Sequence, residues 1–256
     1  MTANLFDLTG KTAIVTGSSR GIGRALALGY AGAGANVTGS ARSSDGAEKT
    51  AQEIRDAGGK ALGVSGDMTR PDDVTALIEQ TVREFGQLDI MHANAGIDIT
   101  QPINDFSPEE FSAVIQGNLN SAFLCAQAAA KQFINQDTGG AIIFTSSNAS
   151  IAAFVNLTPY CASKGGIDAL VRSMSAEYGP HKIRVNAINP GYTNHQMNPN
   201  STGIMNDSRT AFIERTPLRR VGDVTEMVGP SIFLASDAAS YVTGVCMMVD
   251  GGWCAT

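Results

Sequence analysis

Thr12 to Gly23 reads TAIVTGSSRGIG, a short β-branched run followed by a glycine turn and the first residues of a helix. Five residues this apolar suit a strand covered on both faces, as in a parallel sheet flanked by helices. Gly17, Gly21 and Gly23 permit positive φ and close approach of another backbone, and a helix that starts inside the turn offers unpaired N–H groups to a pyrophosphate. The spacing is Gly-x-x-x-Gly-x-Gly and not Gly-x-Gly-x-x-Gly. The position of the turn, directly behind a first strand, therefore carries the dinucleotide reading; a tight structural turn is the competing one.

The same alternation continues along the chain. After a helix over 21–33, further strands are expected at 36–40, 60–65, 88–92, 141–145, 183–188 and 245–249. Between them lie helices over 44–57, from Pro71, and over 158–178. A long helix opens at Ser107-Pro108-Glu109-Glu110 and runs to about Asn135, with a break expected near Gly117. Right-handed crossovers turn this order into one α/β domain over 1–256. It is Rossmann-type, a doubly wound parallel sheet of about seven strands in the order 3-2-1-4-5-6-7 with helices on both faces. The polar stretch over about 193–217 breaks the rhythm and reads as a substrate lid or a mobile surface loop.

Bulk properties narrow the function. With 256 residues, 43% of them hydrophobic, the chain can bury a large core, and its 28 glycines point to many tight turns. A net charge of −6 with no long Lys/Arg run argues against nucleic acid and against a polybasic membrane patch. Apolar stretches are too short to span a membrane and no export leader is visible, so a cytoplasmic protein is expected. Cys125, Cys161, Cys246 and Cys254 lack paired spacing, and with His92, His181 and His195 they form no metal-ligand pattern; no metal is expected.

Cofactor choice turns on the end of the second strand, Gly39-Ser40-Ala41-Arg42, where no acid occurs until Asp45. A carboxylate there would bond the ribose 2′-hydroxyl of NAD, whereas guanidinium pairs with a 2′-phosphate. Arg42, with Arg20 approaching from the phosphate turn, favours NADP(H). For chemistry, Tyr160 and Lys164 stand four residues apart on one helix face. Hydride transfer to a ketone leaves an alkoxide that needs a proton, and a phenol beside an ammonium is a suitable donor. Ser147 follows the fifth strand, at the carboxyl edge where open α/β sheets bind ligands. A chance Tyr–Lys pair and a plain turn serine are the structural alternatives.

Taken together these pieces resemble the short-chain dehydrogenase/reductase family over nearly the whole chain. The matching residues are Thr16-Gly17, Gly21-Ile22-Gly23, Asp67, Asn94-Ala95-Gly96, Asn118, Ser147, Tyr160, Lys164, Asn186, Pro190-Gly191 and Asp250-Gly251-Gly252. The resemblance implies Tyr160 as acid/base, with Lys164 lowering its pKa and holding the nicotinamide ribose. Ser147 would polarise the substrate and Asn118 anchor a water in the proton relay. Gly17, Ser19, Arg20, Gly21, Ile22, Gly23 and Arg42 would surround the phosphates, Asp67 would meet the adenine, and Met68 belongs to the same cofactor set. Asn94, Ala95 and Gly96 would support the sheet beside the cofactor, and Pro190, Gly191 and Thr193 would line its nicotinamide side.

Two departures stand out: Ala93 precedes Asn94 where many relatives carry a second asparagine, and His195 replaces a frequent threonine. Thr193 is the candidate substitute for the carboxamide contact, and His195 is either a substrate contact or a solvated lid residue. The resemblance also implies a homotetramer paired through two apolar helix faces, one with Phe111, Leu119, Phe123 and Leu124, the other with Ile167, Leu170, Val171 and Met174. The opening Leu5-Phe6-Asp7-Leu8-Thr9-Gly10-Lys11 is similar to members acting on sugar acids and polyols, such as gluconate 5-dehydrogenases. The expected activity is interconversion of a secondary alcohol and a ketone on a polyol, sugar acid or other small hydroxylated carbonyl compound. A 3-oxoacyl thioester reductase, using Arg215, Arg219 and Arg220 at the entrance, is the alternative within the family. A non-catalytic NADP(H) sensor or scaffold is the alternative outside catalysis, and the Ser-Tyr-Lys set argues against it.

Overall fold

A computed structural model describes residues 4–194 and 210–256. Strand β1 (Thr12–Thr16), buried along its whole length, lies inside a seven-stranded sheet. The other strands are β2 (Asn36–Ala41), β3 (Ala61–Ser65), β4 (Ile90–Ala93), β5 (Gly140–Thr145), β6 (Ile183–Pro190) and β7 (Cys246–Val249). All pairings are parallel and the order is β3-β2-β1-β4-β5-β6-β7, as expected for a doubly wound fold. Chain direction across the sheet reverses between β1 and β4, which opens a crevice at their carboxyl ends.

Helices α1 (Gly21–Gly32), α2 (Ser44–Asp56), α3 (Pro71–Phe85), α4 (Pro108–Ile115), α5 (Ser121–Gln136), α6 (Thr158–Tyr178) and α7 (Val228–Ala235) cover the sheet. Successive strand residues point to opposite faces, and the core divides accordingly. Ile14, Met91 and Ile142 join Leu77, Phe133 and Val171 on one side. Ala13, Val15, Ile90 and Ile143 join Leu26, Tyr30 and Leu234 on the other.

Differences from the expected elements have local causes. β4 begins at Ile90 because the Leu88 N–H is taken by the Gln136 side chain at the end of α5. β6 runs two residues further, where Asn189 and Pro190 pair with β7. The interruption expected near Gly117 is a π-helical turn over Gln116–Asn120, which joins α4 to α5. The start of this long helix is as read, with Ser107 and Glu110 forming a reciprocal capping box. Helix α7 had no periodic signal, since VGPSIFLA is apolar on every side. Among the described residues no helix is long and apolar enough to cross a membrane, no His/Cys/Asp/Glu group could hold a metal, and all four cysteines are free.

Candidate active site

The turn after β1 is shaped by what has to lie against it. Gly17 has φ +69, and a Cβ on Gly23 would lie 2.2 Å from the Gly17 carbonyl oxygen and 2.5 Å from Asn94 Nδ2. Asn94 Nδ2 donates to the Thr16 carbonyl at 2.9 Å, and the Asn94 and Ala95 amides both donate to Thr16 Oγ1 at 3.0 Å. These bonds lock the end of β1 against the end of β4. α2 and α4 are capped by serines, but α1 begins at Arg20 with no side-chain cap and no acid in its first turn. Its amides are thus directed at the crevice with the positive end of the helix dipole behind them. Ser19, Gly21 and Ile22 sit partly exposed at this opening, and Arg20 is exposed.

At the ends of β2 and β3 three further residues converge. Arg42 is exposed just past β2, and its charge acts on Asp67. The Asp67 carboxyl is held below its usual range chiefly by the Thr69 N–H and hydroxyl, with Arg42 adding to the effect. Met68 is buried, its sulfur facing the Ser40 hydroxyl. An uncapped, glycine-lined helix start with a cation and no acid at the end of β2 fits a phosphorylated dinucleotide.

Beyond β5 lies a second cluster. Ser147 caps a single turn over Asn148–Ser150, its Oγ accepting the Ala149 N–H at 3.1 Å. The same hydroxyl lies close enough to the phenol of half-buried Tyr160, in the first turn of α6, to favour its ionised form. One turn later Lys164 is buried, donating from Nζ to the Thr145 carbonyl at 2.7 Å, with Nζ 5.4 Å from the centre of the Tyr160 ring. Burial pulls the ammonium down to about 8, with Asp168 opposing. Burial also pushes the phenol up to about 12; Ser147 opposes this, and Asp98 and Cys161 add to it. In the free protein the expected lowering of the Tyr160 pKa is therefore absent, because desolvation dominates.

Asn118 lies fully buried in the π turn, a local feature often found at functional sites. Its Oδ1 accepts the Ile97 N–H at 2.7 Å, and its Nδ2 donates to the Ile97 carbonyl and to Ser163 Oγ, both at 3.0 Å. The side chain is committed to these partners, so any hold on a relay water falls to the main chain of the turn. Gly96 packs against it, since a Cβ there would lie 2.9 Å from Asn118 Oδ1. Pro190 ends β6, a Cβ on Gly191 would meet the Asp250 backbone at 2.8 Å, and Thr193 is buried in a bridge with Gly222. Asn186 ties the segment before β7, donating to the Val242 carbonyl and accepting the Val245 N–H. His195 lies outside the described residues.

Several supporting groups escaped the sequence reading. The Tyr30 hydroxyl meets His92 Nδ1 at 2.7 Å, His92 Nε2 meets Thr145 Oγ1 at 3.0 Å, and that hydroxyl donates to Asn94 Oδ1 at 3.0 Å. The last bond fixes the direction: His92 is neutral, carries its proton on Nε2 and accepts from Tyr30. Asp168, two turns after Tyr160, is buried and accepts from Ser146 Oγ at 2.6 Å and from Asn189 Nδ2. Asp98 stands close enough to Tyr160 for its charge to act on the phenol. A Tyr-x-x-x-Lys search cannot find these groups, because they are joined across strands.

Known proteins match this chain over nearly its whole length. The profile of a family described as enoyl-(acyl carrier protein) reductase matches residues 17–254. The chain is 37% identical over 258 residues to a 2-dehydro-3-deoxy-D-gluconate 5-dehydrogenase of Escherichia coli (strain K12), covering 100% of both. A short-chain type dehydrogenase/reductase from Mycobacterium marinum superposes with a TM-score of 0.92 at 40% identity, covering 98% of each chain. A gluconate 5-dehydrogenase from Burkholderia cenocepacia, solved in complex with NADP and tartrate, gives 0.94 at 35% identity, covering 99% of this chain and 98% of its own.

Proposed function

The chain belongs to the short-chain dehydrogenase/reductase family of oxidoreductases, and on that footing we propose that it is an NADP(H)-dependent enzyme interconverting a secondary alcohol and a ketone. The substrate class proposed is a polyol, a sugar acid or another small hydroxylated carbonyl compound. One observation carries the reading: Ser147, Tyr160 and Lys164 meet at the carboxyl edge of the sheet, beside a helix start left open for a phosphate.

Gly17, Ser19, Arg20, Gly21, Ile22 and Gly23 would hold the pyrophosphate side of the cofactor, and Arg42 the 2′-phosphate. Asp67 and Met68 would border the adenine, Asn94, Ala95 and Gly96 the middle of the crevice, and Pro190, Gly191 and Thr193 the nicotinamide side. When bound, the nicotinamide supplies or takes up the hydride. In the reducing direction Tyr160 gives its phenolic proton to the forming alkoxide, and Ser147 donates a hydrogen bond to the same oxygen. Lys164 stabilises the resulting phenolate by its charge, and the turn at Asn118 holds the path by which the proton is replaced. The segment over 193–217 acts as a lid. Its described end, helical over 210–215, is fixed by Phe212, whose ring lies 5.1 Å from Trp253 and 6.3 Å from Phe154. Exposed Phe111 and Phe123 fit the paired helices of a homotetramer, whereas Ile167, Val171 and Met174, expected on the second pairing face, are buried in the chain's own core.

The thioester-reductase alternative loses support at the entrance. Arg215 stacks on Trp253 and donates to the Thr256 carbonyl, Arg219 donates to the Glu214 carbonyl, and Arg220 is paired with Glu226. The deciding experiment is a dehydrogenase screen over polyols, sugar acids, simple ketones and acyl thioesters, with NADP(H) and NAD(H) in parallel. NADP(H)-linked turnover within the hydroxylated set is expected. Turnover confined to acyl thioesters, or none at all, overturns the reading.

A further inference from the structure

Asp98 is a half-buried acid in the loop that follows Asn94-Ala95-Gly96. Its place is set with care. Both backbone groups of Ile97 are bonded by the Asn118 side chain, and Gly117 lacks the Cβ that would crowd Ile97 at 3.0 Å. Further along, the Gln101 amide donates to the Asn156 carbonyl, which fastens the loop to the segment leading into Tyr160. The Asp98 Oδ1 is buried and has no hydrogen-bond partner among the described residues. A buried carboxylate oxygen without a donor is costly, and rotation of the carboxylate about its broad final torsion can present either oxygen to a ligand. Asp98 stands four residues past Asn94, beyond the carboxyl end of β4, and the bond between Gln101 and Asn156 sets its loop against the segment that leads into Tyr160, so this acid lies on the substrate side of the crevice.

We propose that Asp98 selects the substrate: it accepts a hydrogen bond from a hydroxyl near the reacting carbon and excludes molecules with a carboxylate there. The preferred substrate is then an uncharged polyol or sugar and not a sugar acid. The inference rests on the oxidoreductase reading above and narrows it. A second observation points the same way. Among the described residues, the arginines at and beyond the end of the lid, Arg215, Arg219 and Arg220, are engaged with Trp253 and Thr256, with Glu214 and with Glu226. Lys164, the cation beside the phenol, is turned to the Thr145 carbonyl. A substrate carboxylate would meet a like charge in a part-buried site, where repulsion is large.

The test compares xylitol with xylonate, which differ at one terminus, CH2OH against COO−. Affinity for each is measured by calorimetry on the NADP+-loaded enzyme, wild type and Asp98→Asn. Wild type should bind xylitol about tenfold or more tightly than xylonate, a factor of ten being about 1.4 kcal/mol. Asp98→Asn keeps the shape and removes the charge, and should bring the two affinities within about threefold, mainly by strengthening xylonate. Should that variant lose NADP+ binding, Asp98→Ser answers the same question. Equal or tighter binding of xylonate by wild type, an unchanged ratio in the variant, or no binding of either ligand overturns the proposal. Failure of the underlying reading looks different: polyols bind in the expected order, but no alcohol reduces NADP+.

Discussion

At the scale of one side chain, Arg42 carries the proposed cofactor choice and His92 links stability to pH. Arg42 follows β2 with no carboxylate at the strand end, and Arg42→Asp would place one beside the proposed 2′-phosphate. A charge-assisted hydrogen bond contributes about 1.5–3 kcal/mol. The ratio of kcat/KM for NADP(H) over NAD(H) should therefore fall at least about tenfold in the variant. Both cofactors, measured at one ionic strength, check this; an unchanged ratio makes Arg42 a surface residue. His92 is a different case. Its imidazole is buried and neutral, and burial lowers its pKa from 6.5 to about 3. A folded-state pKa below the unfolded one means this stabilisation is complete above about pH 6.5 and is lost as pH falls towards 3. Thermal unfolding scans of wild type and His92→Gln should separate most at pH 7 and converge on acidification. Parallel curves would show that His92 titrates normally.

Between residue and fold stands the turn from β1 into α1. Gly23→Ala would place a methyl group 2.2 Å from the Gly17 carbonyl oxygen and 2.5 Å from Asn94 Nδ2. Overpacking of this kind costs about 1–3 kcal/mol, and here it pushes apart the surfaces that would cradle the pyrophosphate. NADP(H) affinity and the melting temperature should fall together; a variant with wild-type affinity would remove the turn from the cofactor site. This element was legible in the sequence because a β-branched run, three glycines and a helix start are contiguous. The strands were legible for the same reason, each being a short apolar run between turn residues. Helix α7 was not, since Val228 to Ala235 has no polar face to set a period. The π turn was visible only as Gly117, because α and π turns differ by one hydrogen-bond step and not by composition. Asp98 lay beyond reach for another reason: its loop is fixed through Ile97 by Asn118, 21 residues further along the chain from Ile97. The chain of Tyr30, His92, Thr145 and Asn94 joins one helix to two strands, β4 and β5, and no local pattern encodes it.

At the scale of the whole molecule, the parallel sheet brings every strand's carboxyl end to one edge. The reversal of order between β1 and β4 sets the glycine turn beside Asn94 there. β5 delivers Thr145 and Ser147 to that edge, and α6 returns across it with Tyr160 and Lys164. In the proposed arrangement two charge patterns meet in the crevice: Arg42 and the uncapped start of α1 on the cofactor side, and Asp98 on the substrate side. In the proposed function a hydride crosses between them. The most direct measurement follows it, using NADPH deuterated at the transferable position and a ketone of the hydroxylated class, with wild type and Tyr160→Phe compared. Deuterium should appear on the carbinol carbon of the product with wild type. Tyr160→Phe should bind NADPH with similar affinity yet transfer the label about 10²–10⁴-fold more slowly. No label on carbon with wild type, or an undiminished rate in the variant, would contradict the account.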